Sequence, residues 1–263
     1  MLLALPERPA VVVMDNASAD GTAAAVRSRY PEVAVIRLRR NRRAVARNIG
    51  VRHAATPYVA FSDDDSWWEP GALAAACELL DKYQDVGLVT GRTLVGENAA
   101  EDPLNALLAA SPLPDDGLPG PRVLGFLGCA AVARRDAFLQ AGGYNGLLGI
   151  GGEEELLALD LAARGWAAVY VDSVIARHFP SASRDPAGRR AVQQRNRVLV
   201  AWLRRPVRRA LAGTAALAAR ARRDPVSRRA LASLLIRLPS ALAARRPLPP
   251  DVAAQLRTLE GAG

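Results

Sequence analysis

Over its first 180 residues the chain alternates short apolar runs with segments whose apolar residues recur at helical spacing. AVVVM (10–14) is rich in β-branched residues and stops at Asp15, and GTAAAVRSRY (21–30) follows as a helix. VAVIRL (33–38) reads as a second strand, 44–55 as a second helix and YVAF (58–61) as a third strand. Pro70 suits the first position of a helix running to Tyr83, because its missing N–H would find no partner there anyway. VGLVTGRTL (86–94) is a fourth strand. This alternation predicts an α/β fold, a Rossmann-like and mostly parallel sheet with helices on both faces.

The pattern then loosens. Five prolines within 98–121 predict a surface loop or lid. Residues 123–144 read as a strand and a short helix ending at glycine, and the glycines of GLLGIGG precede a helix over 153–164. Gly165 closes that helix, and a strand over 167–171 follows. After His178 the composition shifts to Ala, Leu and Arg in helical periodicity, punctuated by Pro206, Pro225, Pro239 and Pro247. Two parts are therefore expected, an α/β domain over 1–183 and an α-helical extension over 184–263.

In such sheets ligands sit beyond the carboxyl ends of the strands. Asp15 falls there, and so does the triplet Asp63, Asp64, Asp65. Adjacent carboxylates repel one another, so three in a row point to a positive partner. Their hard oxygen atoms suit Mn²⁺ or Mg²⁺, with phosphate oxygens completing the shell. A solvated acidic loop capping the helix at Pro70 is the alternative, and it accounts for one acid more easily than for three. Asn16, Ser18 and Asp20 follow Asp15 in a turn; N-cap chemistry covers Ser18 and Asp20 but leaves Asp15 unexplained.

Glu153, Glu154 and Glu155 open a helix, where acids gain from the macrodipole. Glu154 also shares a helical face with Leu157 and Leu161, the stripe that should point inward. A carboxylate there, its pKa raised by partial burial, is a candidate general base. His178 ends the strand-like VYVDSVIARH, and a lone histidine is more often structural than a ligand.

Charge and cysteines narrow the setting. The 263 residues carry 35 basic against 26 acidic side chains, a formal net charge of +9, and Lys82 is the only lysine. Arginine favours bidentate contacts with phosphates and carboxylates, although an arginine bias also follows from genome composition. Cys77 and Cys129 sit in apolar sequence without metal-ligand spacing and read as buried free thiols of a reducing compartment. MLLALPERP lacks the basic start of a signal peptide. The longest uncharged run, 137–152, is broken by six glycines and is not expected to span a bilayer. The expected place is the cytoplasm or the inner face of its membrane.

Taken together, VVVMDNASADGT, NRRAVARNIG, YVAFSDDDSWWEPGAL, GCAAVARRDAFLQAGGYN, GGEEELLALDLAARGW, VYV and RHFP resemble the family 2 glycosyltransferases of the GT-A fold. Order and spacing agree from residue 11 to residue 180. The resemblance implies an inverting transfer of sugar from a nucleotide-diphosphate sugar, assisted by Mn²⁺ or Mg²⁺, to a glycan or lipid-linked acceptor. It places Asp15, with the turn of Asn16 and Ser18, at the nucleotide base, and Arg47 near the nucleotide or diphosphate. Asp63 would contact the ribose or the metal environment, Asp64 would belong to the nucleotide-sugar site, and Asp65 would hold the cation with His178 completing the site. Glu154 matches the second acid of the family's acidic pair, the base that deprotonates the acceptor hydroxyl. It stands where aspartate is commoner, and Arg43 stands where the family usually has glycine. Met1 to Pro9 resembles only the end of the first helix of such proteins, so their opening strand is expected to be lacking. A truncated, non-catalytic remnant is the competing expectation.

In the extension, Leu231, Leu234, Leu235, Leu238 and Leu242 fall on one helical face, flanked by Arg228, Arg229, Arg237, Arg245 and Arg246. Such a helix either lies on an anionic membrane surface or packs on the catalytic domain with its arginines in solvent. Nucleic acid is not an expected partner, because no recognised module accompanies the charge and aromatic residues are few.

Overall fold

The computed structural model describes residues 1–180 and 186–262, so the expected domain boundary lies outside the described residues. The early alternation forms as β1 (Val12–Asp15), α1 (Thr22–Arg29), β2 (Ala34–Arg37), α2 (Val45–His53) and β3 (Tyr58–Ala60). A strand that the pattern did not announce, β4 (Ser66–Trp68), comes next, followed by α3 (Ala72–Lys82) and β5 (Val86–Val95). The chain continues through β6 (Ala100–Glu101), α4 (Pro103–Ala109), β7 (Ala131–Arg134), α5 (Arg135–Ala141), α6 (Glu153–Ala162) and β8 (Ala167–His178).

The α/β class and the two helical layers agree with the sequence pattern, whereas the strand directions are mixed. β1 and β2 form a parallel pair of their own. The other strands make one sheet in the order β3-β7-β5-β8-β4, with β6 beside β5, and of its pairings only β5–β8 is parallel. Parallel neighbours need a long crossover. The chain provides one through α1 and another through α4–α6, but it reverses tightly at the aspartate triplet and after β5. Ahead of β1, Leu2–Ala4 form a single 3-10 turn, and Leu5 packs with Trp68 and Leu73 in the core.

Side-chain alternation along the strands separates two cores. Val89, Val132 and Val169 meet Leu73, Ala76 and Leu80 of α3 on one face. Leu88, Ala133 and Ala168 meet Phe138 of α5 and Leu157 and Leu161 of α6 on the other. Within 98–121, an ordered β6–α4 unit replaces the expected loop. Asp102 caps α4 by accepting from the Leu104 N–H, and the buried Asn105 both donates to and accepts from the Thr93 backbone. Its prolines bracket the helix instead of excluding one.

The C-terminal segment folds as α7 (Pro186–Arg204), α8 (Val207–Ala221), α9 (Pro225–Ala243) and α10 (Pro250–Ala262). Pro239 lies inside α9, so it does not end the helix as its spacing suggested. These helices share a third core with Leu148, Leu156 and Leu159, which belong to α6 and the loop before it. The bidentate Asp160–Arg204 ion pair ties α6 to the end of α7. The leucine stripe of α9 divides accordingly: Leu234 is buried, Leu231 and Leu238 partly so, while Leu235 and Leu242 face outward. Among the described residues no helix is long and apolar enough to cross a membrane.

Candidate active site

The site is built at one end of the strands. Asp15 ends β1 with its side chain wholly shielded, and one carboxylate oxygen accepts from the Ser18 N–H at 2.9 Å. The other lies 3.4 Å from Nε of Arg37, the last residue of β2. The Ser18 hydrogen bonds, and more weakly Arg37, hold this carboxyl below its ordinary pKa against the opposing effect of burial. Ser18, Arg37, Leu38 and Arg39 border an open hollow of about 410 Å³ beside it. Asn16 is occupied locally: its amide donates to the Arg43 carbonyl and accepts from the Arg42 N–H, tying the loop before α2 to the end of β1.

Arg43 itself has φ 52°, the left-handed region that explains why glycine is the usual residue there. Four residues on, in the first turn of α2, Arg47 pairs with Asp63 and lies 5.6 Å over the Tyr144 ring. Burial opposes its charge, but Asp63, Tyr144 and Glu154 together keep the guanidinium's pKa above the ordinary value. Arg47 therefore sits between the aspartate triplet and the glutamate helix.

The triplet turn is shaped by Ser66, whose hydroxyl accepts from the Asp63 N–H at 2.7 Å. That turn starts β4, which pairs antiparallel with the end of β8 and sets Ser66 opposite His178. Asp65 and His178 are thereby brought within 3.5 Å of each other, each about a fifth exposed. Trp67 stacks on Phe179 at 5.1 Å alongside. Asp64 points to solvent. Among the described residues no cluster of three metal-binding side chains occurs. Asp65 and His178 nevertheless fit a Mn²⁺ or Mg²⁺ ion that takes most of its ligands from phosphate and water, as oxygen-rich divalent sites on nucleotides do. Cys129 lies beneath this turn, and burial, then Asp63, push its thiol up to about 12, so it stays protonated.

The glutamates are treated differently. Gly149, Gly151 and Gly152 all have φ between 80° and 92°, which lets the chain turn sharply into α6. Glu153 is 2 % exposed and one of its carboxylate oxygens has no hydrogen-bond partner. Glu154 reaches back to Gly128, where a Cβ would stand only 3.2 Å from its Oε1 and 3.7 Å from the Tyr144 hydroxyl. Burial first, then the adjacent Glu153 carboxylate, push the Glu154 carboxyl up to about 8. That hydroxyl is also buried without a partner.

The candidates thus gather in three places: Asp15 and Ser18 at the hollow, Asp65 with His178 at the β4–β8 end, and Glu154 near Tyr144. Asp63 and Arg47 link the second to the third. Asn16 supports the loop and Asp64 stays outside. Sequence reasoning missed Arg37, Gly128, Tyr144 and Glu153. Tyr144 carried a detectable mark, a lone aromatic after paired glycines, but Arg37 looked like any exposed strand-end arginine.

Comparison with known proteins gives consistent results. The model of the family described as Glycosyl transferase family 2 matches residues 2–141. An N-acetylglucosaminyl-diphospho-decaprenol L-rhamnosyltransferase of Mycobacterium tuberculosis is 27% identical over 257 residues, covering 80% of this chain and 82% of that protein. The fold resembles mannosyltransferase PcManGT from Pyrobaculum calidifontis in complex with GDP-Man and Mn²⁺, with TM-score 0.57 and 24% identity over 98% of this chain and 67% of the other. It also resembles GalNAc-T7 with UDP, GalNAc and Mn²⁺, with TM-score 0.55 and 15% identity over 74% of this chain and 42% of the other.

Proposed function

We propose, since this chain belongs to glycosyl transferase family 2, that it moves a sugar from a nucleotide-diphosphate sugar to a hydroxyl of a lipid-linked acceptor, with a divalent cation and with inversion. The observation that carries this reading is Arg47, set between Asp63 of the acidic turn and the buried Glu154. It puts a cation-compatible end and a raised carboxyl on the two sides of one guanidinium.

In this reading the nucleotide base rests in the hollow beside Ser18, with Asp15 behind it holding the Ser18 turn and Arg37 in place. The ribose and diphosphate run past Asp63 toward Asp65 and His178, which would hold the cation. Bound there, Mn²⁺ or Mg²⁺ supplies neutralisation of the charge that develops on the leaving diphosphate. Arg47 adds a guanidinium on the same side. Glu154 accepts the acceptor's hydroxyl proton while that oxygen attacks the anomeric carbon from the opposite face. The raised pKa makes it a stronger base than an exposed carboxylate. A single displacement inverts the anomeric centre. The relative from M. tuberculosis is named for a diphospho-lipid acceptor, and the same acceptor class suits the basic, apolar outer surface of α8 and α9, where Leu211, Leu235, Ile236 and Leu242 are exposed. Contact with an anionic membrane through that surface is part of the proposal.

The test is thermal unfolding with a panel of nucleotide-diphosphate sugars, with and without Mn²⁺, beside Asp65→Ala. A midpoint rise that requires both nucleotide and cation and disappears in the variant supports the donor site. A cooperatively unfolding chain that no nucleotide shifts would refute it. Proton coupling constants of the transferred sugar then report its anomeric configuration.

A further inference from the structure

Outside these residues one group is unusually placed. Arg195, on α7, is 6 % exposed, and its charged neighbours are two more arginines, Arg237 of α9 and Arg43 before α2. Arg195 Nη1 and Arg237 Nη1 both donate to the Ser233 hydroxyl, at 3.2 and 2.7 Å. Arg195 Nη2 donates to the Leu148 carbonyl at 2.6 Å, and the very next residue brings the cluster to Arg43, because a Cβ on Gly149 would meet Arg43 Cδ at 2.8 Å. Among the described residues no carboxylate is paired with any of the three. Burial, then Arg237 and Arg43, push the Arg195 pKa down to about 10.

Three guanidinium groups drawn together around a buried one are mutually repulsive, and a buried charge is costly unless something of opposite sign completes it. Neutral partners answer part of the need: Asn196 accepts from Arg195 at 2.9 Å and also donates to the Leu148 and Ile150 carbonyls. They add no negative charge. Arg237 is part-exposed and Arg43 exposed, so the cluster opens to solvent. It also flanks the loop that leads into Glu154, and Arg43 precedes α2 four residues before Arg47. Ile150, 52 % exposed, and Ile236, 77 % exposed, are the chain neighbours of Gly149 and Arg237.

We infer that Arg43, Arg195 and Arg237 form a subsite for the diphosphate of a lipid-diphosphate acceptor, beside the Gly149–Gly152 loop. Arginine is the residue suited to that task, because its planar fork meets two phosphate oxygens at once. The exposed isoleucines offer an apolar border for the lipid end. This inference rests on the glycosyltransferase reading, since it presumes an acceptor delivered to Glu154.

The experiment titrates the full chain with farnesyl diphosphate and with inorganic diphosphate, in chelator so that the cation-dependent donor site stays silent. The variants are Arg43→Gly and Arg237→Gln, with Asp65→Ala as control. Farnesyl diphosphate should bind more tightly than inorganic diphosphate, each arginine variant should weaken it about tenfold, and Asp65→Ala should leave it unchanged. Arg43→Gly relieves a left-handed backbone, so it should melt above the wild type while binding less well, which separates lost binding from lost folding. Nucleotide-sugar binding with Mn²⁺ should persist in both arginine variants. The inference is overturned if the arginine variants bind normally, if Asp65→Ala abolishes binding, or if inorganic diphosphate binds as well as the prenyl form. No binding of either probe by a chain that still takes up nucleotide sugar with Mn²⁺ overturns this subsite alone, and failure of nucleotide binding as well overturns the donor reading with it.

Discussion

Two runs of three acids, Asp63–Asp65 and Glu153–Glu155, stand in one chain and meet opposite treatment. The aspartates sit on a tight turn between two strands, partly exposed, with a histidine and an arginine brought to them from distant sequence. The glutamates open a helix whose remaining faces are committed to two cores, Leu157 and Leu161 to one and Leu156 and Leu159 to the other. Water and opposite charges keep the first set suited to cations, while burial and mutual repulsion push the second toward the protonated form. Identical runs of charge therefore acquire different chemistry from what the backbone puts around them.

The largest expected effect comes from Glu154→Gln, which removes the proposed base and leaves its shape. Transfer should fall about 10²- to 10⁴-fold, with nucleotide-sugar affinity unchanged. The same variant has a stability consequence of opposite direction. A carboxyl whose folded pKa is raised favours folding while protonated, and that contribution is lost as pH rises through the folded value. Glu154→Gln should thus melt progressively higher than wild type as pH rises from about 4.5 to about 8, and by a constant margin above that, in calorimetry run on both proteins. Equal pH profiles would mean that the two acid runs do not differ as described.

Asp65→Ala comes next. It should lower transfer by about 100-fold, comparable to losing one transition-state charge contact, and should make the chain indifferent to chelator. Activity in wild type should fall on chelation and return with Mn²⁺. A variant still activated by Mn²⁺ would place the cation elsewhere on the turn, with Asp64 the obvious substitute ligand.

Much of this contrast could be read in advance, and the exceptions have identifiable causes. Asp15, the aspartate triplet and Glu154 were legible because local pattern alone puts them at strand ends or on an inward helical stripe. β4 was not, because SWW is three residues long and gains its identity from pairing with β8, more than a hundred residues later. The mixed direction of the sheet was hidden for the same reason, since β7 and β8 choose their neighbours by long-range pairing and not by their own composition. Asn16 looked like a ligand residue because its amide can bind either a base or a backbone, and the structure commits it to Arg42 and Arg43. Packing of the C-terminal helices on the catalytic domain was one of two expectations, but α6 as their partner was not legible, as an Ala-Leu-Arg helix carries no mark of what its leucines meet.

A third change tests the coupling within the glutamate run. Glu153 is the second cause, after burial, of the raised Glu154 pKa. Glu153→Gln should shift the rising limb of the kcat/KM–pH profile toward lower pH, because the base then ionises more easily. An unmoved limb would assign the shift to burial alone, or the limb to another group.

The smallest effect should come from Tyr144→Phe, and it asks whether the two acid runs share more than Arg47. The Tyr144 hydroxyl is buried, lacks a partner and lies near both Gly128 and Glu154. Its ring carries the Arg47 contact and the edge contacts with Phe61 and Phe138, all of which phenylalanine retains. Stability should therefore stay within about 0.5 kcal/mol of wild type, since an unpaired hydroxyl contributes no hydrogen bond to the fold. If the acceptor supplies the missing partner, kcat/KM should fall about two- to tenfold, the range for one neutral hydrogen bond, with KM for the acceptor rising and donor binding unaltered. Unchanged kinetics would leave the ring as packing under Arg47 and would confine the acceptor's polar contacts to Glu154.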